Sequence, residues 1–376
     1  MKALRILSIF GIITGMLMIL TSSTLLFFFK KPSEEITLSE QTYKAEDTPK
    51  QQEEEIENEE QEPILELQES GWIPNWAFDL GYESLQNNKD VINTVNPVLY
   101  TVNSSGNIVS RGVSEISLNN LLNFSKENNI RVIPTVGSYD YEYMKNSLTN
   151  DLVFQNNIST IISEIDKYGF DGIDLDYEMI NQTDKDKYIE FIRDLKTELN
   201  KKDKTLSVTV FPQWENATYT DHPETRMSQD YSQIGNIADE VRIMAYDYTL
   251  LSSNTPGPIA PLTWVKQILD YATNEIPKEK IWLGIHLYSY EWVKGKTVAL
   301  TYTSTKNIIN NVNIDASFKD DIGEGYAEFG CEGNLRCVMY YQNEQGVEIR
   351  RDIAKEYGIA GVSYWRLGGE MDILKN

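Results

Sequence analysis

The sequence predicts an α/β fold: a (β/α)8 (TIM) barrel with a small α+β insertion between its seventh and eighth strands, preceded by an N-terminal transmembrane helix. Three observations lead to the barrel. Eight apolar, strand-like runs alternate with helix-like stretches over about 300 residues, the count and size such a barrel requires. The fourth run, Gly169–Glu178, alternates Ile173, Leu175 and Tyr177 with Asp174, Asp176 and Glu178, so one face is apolar and the other is made of acids. The seventh and eighth runs are separated by about 70 residues, too many for one helix and its loops.

Ile6 to Phe29 is an uncharged run of twenty-four residues, longer than the roughly 20 that a bilayer-spanning helix needs. A secretion signal would have an apolar core of about 7–15 residues and end on small residues. This run closes on Leu25-Leu26-Phe27-Phe28-Phe29-Lys30-Lys31. Residues 1–31 are therefore expected to be an uncleaved, single-pass membrane anchor. Lys2 and Arg5 on one flank nearly balance Lys30 and Lys31 on the other. The amino terminus is expected in the cytoplasm and the bulk of the chain outside the cell.

From Glu34 to Glu69 there are fourteen acids and two lysines, a surplus that supplies about half of the net charge of −23. With Pro32, Pro49 and Pro63 and few aromatics, residues 32–63 read as a disordered, self-repelling tether. A chain this acidic offers no basic stripe to follow a nucleic-acid backbone, and a monomer is expected.

Residues 64–376 read as the barrel. Its runs are Gly71–Trp76, Pro97–Val102, Arg131–Val136, the acidic run, Leu206–Phe211, Glu240–Tyr248, Lys280–Tyr288 and Ile359–Trp365. Ser104-Ser105-Gly106-Asn107 marks a turn after the second run. Helices are expected over Ile116–Asn128, Leu152–Tyr168, Lys185–Asn200 and Arg350–Tyr357; in the third of these Tyr188, Phe191, Ile192 and Leu195 share a face. The insertion, about 293–355, holds Phe318, Tyr326, Phe329 and Val338–Tyr341 in strand-like groups. Cys331 and Cys337, the only cysteines, are spaced C-x5-C, which suits a disulfide closing a short loop outside the cell. With only His222 and His286 in the chain, neither a His-rich metal centre nor a His-driven triad is expected. No metal or cofactor is called for.

In such a barrel the catalytic groups sit at the carboxyl ends of the strands, which is where Glu178 falls. Trp214 and Glu215 follow the fifth run, Tyr246, Asp247 and Tyr248 close the sixth, Glu291 and Trp292 follow the seventh, and Trp365 ends the eighth. Acids beside flat aromatic surfaces suit a sugar groove. Retaining glycosidases ordinarily flank the scissile bond with two carboxylates about 5–5.5 Å apart. Neighbours on one strand, about 6.6 Å apart at Cα, stand side by side and cannot flank a sugar. Their mutual repulsion raises at least one pKa and favours a shared proton. The nucleophile must then be Glu291 from another strand, or an N-acetyl group on the substrate itself, with Asp176 orienting its N–H.

Asp171-Gly172-Ile173-Asp174-Leu175-Asp176-Tyr177-Glu178 resembles the DxxDxDxE signature of glycoside hydrolase family 18, the chitinase-like enzymes, at all four acids. Met244-Ala245-Tyr246-Asp247 is similar to the family's sixth-strand motif, and Trp365 to its eighth-strand tryptophan. Gly358–Gly368, Gly-Ile-Ala-Gly-Val-Ser-Tyr-Trp-Arg-Leu-Gly, looks most like the bacterial cell-wall and spore-germination branch. Pro134-Thr135-Val136-Gly137-Ser138 departs from the family's Ser-x-Gly-Gly on the third strand. The resemblance spans about Gly71 to Met371 and implies a barrel with an α+β insertion after the seventh strand.

It further implies Glu178 as general acid and then base, and Asp176 as the group that orients the acetamido. Asp174 would share a proton with Asp176, Tyr246 would hydrogen-bond the acetamido oxygen, and Trp365 would form the floor beneath the sugar. Asp247, Trp214, Trp76 and Tyr100 are expected to bind substrate. Asp171, of opposite parity, is expected to hydrogen-bond at the strand end, with Gly172 structural beside it. The implied activity is hydrolysis of β-1,4 linkages in N-acetylglucosamine-containing glycans, most readily peptidoglycan. Chitin cleavage, a glycosidase using Glu291 and a catalytically silent glycan-binding protein are the alternatives.

Overall fold

The computed structural model describes residues 67–375 apart from 220, 313, 332–334 and 371. The expected anchor (1–31) and tether (32–63) lie outside the described residues. Among the described residues no helix is long and apolar enough to cross a membrane.

The strand-forming runs become β1 (Gln68–Pro74), β2 (Thr94–Val102), β3 (Ile108–Ser110), β4 (Arg131–Val132), β5 (Thr135–Ser138), β6 (Gly172–Tyr177), β7 (Thr205–Val210), β8 (Glu240–Ile243), β9 (Ile281–His286), β10 (Tyr288–Val293), β11 (Lys296–Thr301), β12 (Ala316–Lys319), β13 (Glu324–Cys331), β14 (Leu335–Tyr341) and β15 (Gly361–Trp365). The helices are α1 (Phe78–Asn87), α2 (Glu115–Glu127), α3 (Tyr141–Thr149), α4 (Asp151–Tyr168), α5 (Lys185–Asn200), α6 (Pro223–Ser228), α7 (Tyr231–Ile237), α8 (Leu262–Glu275), α9 (Tyr302–Val312) and α10 (Glu344–Tyr357).

Eight of these strands form a closed parallel ring in the order β1, β2, β5, β6, β7, β8, β9 and β15, and β1 pairs with both β2 and β15 to close it. The staves are almost wholly buried because helices cover the outside and side chains fill the lumen, which is why they read as near-continuous apolar runs. Two runs end differently from expectation. The third breaks into β4 and β5 around Ile133–Pro134, where proline has no N–H for the ladder. The sixth leaves the sheet after Ile243, and Met244–Tyr248 continues as loop, with Asp247 at φ 61°.

The lumen is polar at its centre. Arg242, fully buried, donates to Ser70 and Ser363 at 2.6 Å each and to Ser207 at 3.0 Å. It also pairs with Glu240 and lies 4.3 Å from the ring centroid of Trp282. A buried guanidinium is tolerated only with its donors satisfied, and here four staves supply the partners.

The insertion is a separate five-stranded antiparallel sheet in the order β11, β10, β14, β13, β12, with α9 on the same excursion. Its first strand begins at Tyr288, directly after the seventh stave, and its last residue in the sheet is Tyr341. α10 is the barrel's own helix before the eighth stave. Cys331 and Cys337 form a disulfide across the β13–β14 hairpin, with Cα atoms 5.9 Å apart.

Candidate active site

β6 puts its apolar residues toward the helices and its acids toward the lumen and barrel mouth. Ile173, Leu175 and Tyr177 are fully buried, and Tyr177 donates to Asn157 of α4 at 3.1 Å. Asp174 is the deepest acid. Its carboxylate accepts from Thr135 (2.8 Å), Trp72 (3.3 Å), Ser207 (2.7 Å) and Thr209 (3.0 and 3.1 Å), hydroxyls and an indole from three other staves. Ser207 in turn accepts from Arg242, so the cation below is linked to the acid above.

Asp176 stands one step higher. Its Oδ2 accepts from the Tyr139 hydroxyl at 3.3 Å, while its Oδ1 is buried with no N–H or hydroxyl donor among the described residues. Burial, then the charges of Glu178 and Asp174, push its pKa well above the usual carboxylate range against the Tyr139 hydroxyl. Glu178, just past the end of β6, is pushed up to about 7, chiefly by burial and further by the charge of Asp247, against a hydrogen bond with Asp176. Asp176 and Glu178 both have raised pKa values and are hydrogen-bonded to each other, so this pair can share a proton.

Glu178 is fixed by its backbone. Its N–H donates to Ser138 at 3.0 Å and its carbonyl accepts from Thr225 of α6 at 2.7 Å. Asp171, at the opposite end of the strand, accepts from the Val132 N–H at 2.8 Å. A Cβ on Gly172 would lie 2.2 Å from the Thr205 carbonyl oxygen, so only glycine fits there.

Above the acids opens a cavity of about 420 Å3, lined by Asp176, Glu178, Asp247, Tyr246, Trp76, Trp365 and their neighbours. This is the size of a small-molecule site. Trp365 meets Trp72 and Trp76 edge-on at 6.0 and 6.4 Å between centroids, and the Trp365–Arg366 peptide is cis. Tyr246 is buried, and burial with four nearby acids pushes the pKa of its hydroxyl well up. Asp247 is clamped by the hydroxyls of Tyr288 and Tyr290, the latter at 2.6 Å, so the insertion's first strand braces a cavity residue from the adjoining side. Burial nevertheless raises the Asp247 pKa against those two hydroxyls. A roomier depression of about 570 Å3 lies on the insertion sheet, lined by residues such as Asp315, Lys319, Glu328 and Arg336, away from the strand ends.

Three candidates from the sequence are not brought to this cavity. Tyr100 points outward to α4, donating to Glu164 at 2.8 Å, because a bulge between Val98 and Tyr100 reverses its side. Trp214 packs edge-on against Tyr219 and Trp264 at 5.3 and 5.7 Å. Glu291 alternates with Tyr290 and Trp292 on β10 and faces away from Asp247. In the other direction, Tyr139, Thr135, Thr209 and Arg111 line the cavity without having been singled out. Ser207 and Thr209 carry a readable signal, alternating with Leu206, Val208 and Val210; Tyr139 sits in a stretch with no periodicity. Thr135 and Gly137 answer the departure on the third strand. The threonine supplies a hydroxyl to Asp174, and the glycine leaves room for the Tyr139 hydroxyl, which would lie 2.2 Å from a Cβ.

Residues 80–370 match the sequence profile described as Glycosyl hydrolases family 18. An uncharacterized glycosylase, YvbX, of Bacillus subtilis (strain 168) is 25% identical over 301 residues, 77% of this chain and 85% of that protein. The cortical fragment-lytic enzyme of Bacillus anthracis is 28% identical over 228 residues, 59% of this chain; the match covers 52% of that enzyme, about half its length. Among solved structures, a chitinase from Chromobacterium violaceum ATCC 12472 superposes with a TM-score of 0.75 at 22% identity, covering 82% of this chain and 96% of that one. The spore cortex-lytic enzyme SleL of Bacillus megaterium QM B1551 gives 0.74 at 20% identity, covering 82% and 72%. With the acidic row, the cavity and a match over most of the folded chain in agreement, the protein belongs to glycosyl hydrolase family 18 and is a glycosidase.

Proposed function

We propose that the protein is a membrane-anchored, retaining β-N-acetylglucosaminidase that cuts peptidoglycan by substrate-assisted catalysis. The observation that carries this reading is the buried Oδ1 of Asp176, which finds no N–H or hydroxyl donor among the described residues, beside the Glu178 carboxyl at the end of the same strand. A carboxylate oxygen left bare in a cavity is an expensive feature unless a ligand N–H completes it. The N–H of a 2-acetamido group does so.

Glu178, protonated near neutral pH, gives its proton to the glycosidic oxygen as the C1–O bond breaks. The acetamido oxygen attacks C1 and closes an oxazolinium ring, while Asp176 accepts from its N–H and balances the new positive charge. Tyr246 donates to the acetamido oxygen and holds it in line. Water then adds to C1, Glu178 takes the water's proton, and the ring reopens with the configuration retained. Trp365 and Trp76 offer apolar faces for the pyranose rings. The apolar run 6–29 and the acidic segment 32–63 support an anchor and tether that hold the barrel outside the membrane, within reach of the wall.

E178Q should bind glycan and fold as the wild type does but lose at least about a thousandfold in hydrolysis. The full-length protein incubated with purified peptidoglycan, followed by mass analysis, should release fragments with N-acetylglucosamine at the new reducing end. Release from chitin alone would replace peptidoglycan by chitin as the substrate, and undiminished activity in E178Q would overturn the catalytic assignment.

A further inference from the structure

The cavity above β6 is lined by four carboxyl groups, Asp176, Glu178, Asp221 and Asp247, in a chain of net charge −23. Two arginines share that lining. Arg226 is buried and committed: its Nη2 pairs with Asp221 at 2.6 Å, and its other nitrogens donate to backbone carbonyls of Asp221 and Pro212. Arg366 lies beyond Trp365, in an adjoining cavity of about 300 Å3, and donates to the carbonyls of Leu367 and Gly368.

Arg111 is held differently. It follows β3 and is half-buried at the cavity wall. Its Nε donates to Asn75 Oδ1 at 3.1 Å, and Asn75 Nδ2 donates back to the Arg111 carbonyl at 2.9 Å. Its guanidinium carbon lies 5.3 Å from the ring centroid of Tyr139, whose hydroxyl reaches Asp176. Among the described residues neither terminal nitrogen has a hydrogen-bond partner, and no carboxylate pairs with it. The stem is fixed and the fork is free. A planar, preorganised guanidinium with both terminal nitrogens open is built for a carboxylate. A neutral sugar could accept only single, uncharged hydrogen bonds from it, whereas a carboxylate adds charge and matches both nitrogens at once.

We propose that Arg111 is a specificity residue that binds the lactyl carboxylate of an N-acetylmuramic acid next to the N-acetylglucosamine seated over Asp176. This rests on the peptidoglycan reading and sharpens it. The two sugars alternate along that glycan, so N-acetylglucosamine over Asp176 places muramic acid on either side of it. Chitin repeats N-acetylglucosamine and brings no carboxylate. The lactyl group is a free anion only where its amide to the stem peptide has been hydrolysed. An amide-cleaving reaction must therefore supply the preferred substrate, and the enzyme acts on strands already stripped of peptide.

The test uses the full-length protein and two forms of peptide-free glycan strands, one with free lactyl carboxylates and one with these converted to primary amides. Wild type should favour the carboxylate form by about tenfold or more in kcat/KM, the scale of a charge-assisted bidentate contact. R111Q should bring that preference to within about twofold by losing rate on the carboxylate form, and R111K should retain part of it. Added salt should erode the wild-type preference, because the contact is partly exposed. Equal rates on both forms by wild type, or an equal loss on both forms in R111Q, would overturn the role of Arg111 and leave the peptidoglycan reading standing. No cleavage of either form would overturn both. Should R111Q fail to fold, the paired substrates with wild type and R111K decide the matter.

Discussion

Glu178 has to be an acid at the start of the reaction and a base at its end, so its pKa must lie close to the working pH. Burial does most of this, and the Asp247 charge adds to it, bringing the group up to about 7. The general acid works only while protonated. The kcat/KM profile should therefore fall as pH rises through about 7, tenfold per unit above it. D247N removes a charge that raises Glu178, so its falling limb should move to lower pH, with a lower plateau as well because Asp247 lines the cavity. Measured pH profiles of the two proteins check this, and a limb that stays in place would remove Asp247 from the tuning. The row of acids was legible in the sequence because strand parity makes an all-acid face conspicuous. How Asp174 is held was not. That depends on the hydroxyls of Thr135, Ser207 and Thr209 converging on Asp174 from other staves, and a linear pattern does not show such convergence.

At the scale of elements, long two-sided burial made the staves readable, whereas several helices between them were not. α3, α6 and α7 are short, and their apolar residues are too few to set a period. Tyr100 shows why parity alone misleads: one bulge in β2 sends it outward while Val98, two residues earlier, lines the cavity. The third stave offers a sharp test of local design. Gly137 has no side chain, and the Tyr139 hydroxyl occupies the space where one would be. In G137A the new methyl would displace that hydroxyl from Asp176. Tyr139 is 44% exposed and can swing into solvent, so stability should change little. Hydrolysis should fall by roughly tenfold, the scale of one hydrogen bond to a charged group. Y139F should reproduce the loss. A G137A protein with normal turnover, or one that fails to fold, would contradict this view of the stave.

At the scale of the whole molecule, the chain divides at the start of β1. That strand is a stave in its own right, since it pairs with β2 on one side and β15 on the other. It also sends Trp72 to Asp174 and Ser70 to the Arg242 cluster, so closure of the barrel and preparation of the site depend on the same seven residues. Under the proposed reading, residues 32–63 ahead of it are a thirty-two-residue tether that would reach at most about 110 Å when extended. As a flexible coil they would span on the order of 30 Å, and like charges push that figure upward. So read, the segment would set where the barrel can work and would lie outside the ring of strands. A chain starting at residue 67 should therefore keep the melting temperature of the full protein and its kcat/KM on soluble glycan fragments. If residues 1–31 anchor the barrel as proposed, in cells this chain should leave the membrane fraction and lose activity on intact wall, because the high effective concentration such an anchor confers is gone. A chain starting at residue 75 removes a stave, exposes the facing edges of β2 and β15, and takes the Trp72 donor from Asp174 and the Ser70 acceptor from Arg242. It should not fold. If the shorter deletion also destroyed the fold, the segment before β1 would have to be part of the barrel's packing; if the longer one folded and turned over substrate, the ring would not need its first strand, and the account of how Asp174 is held would be wrong.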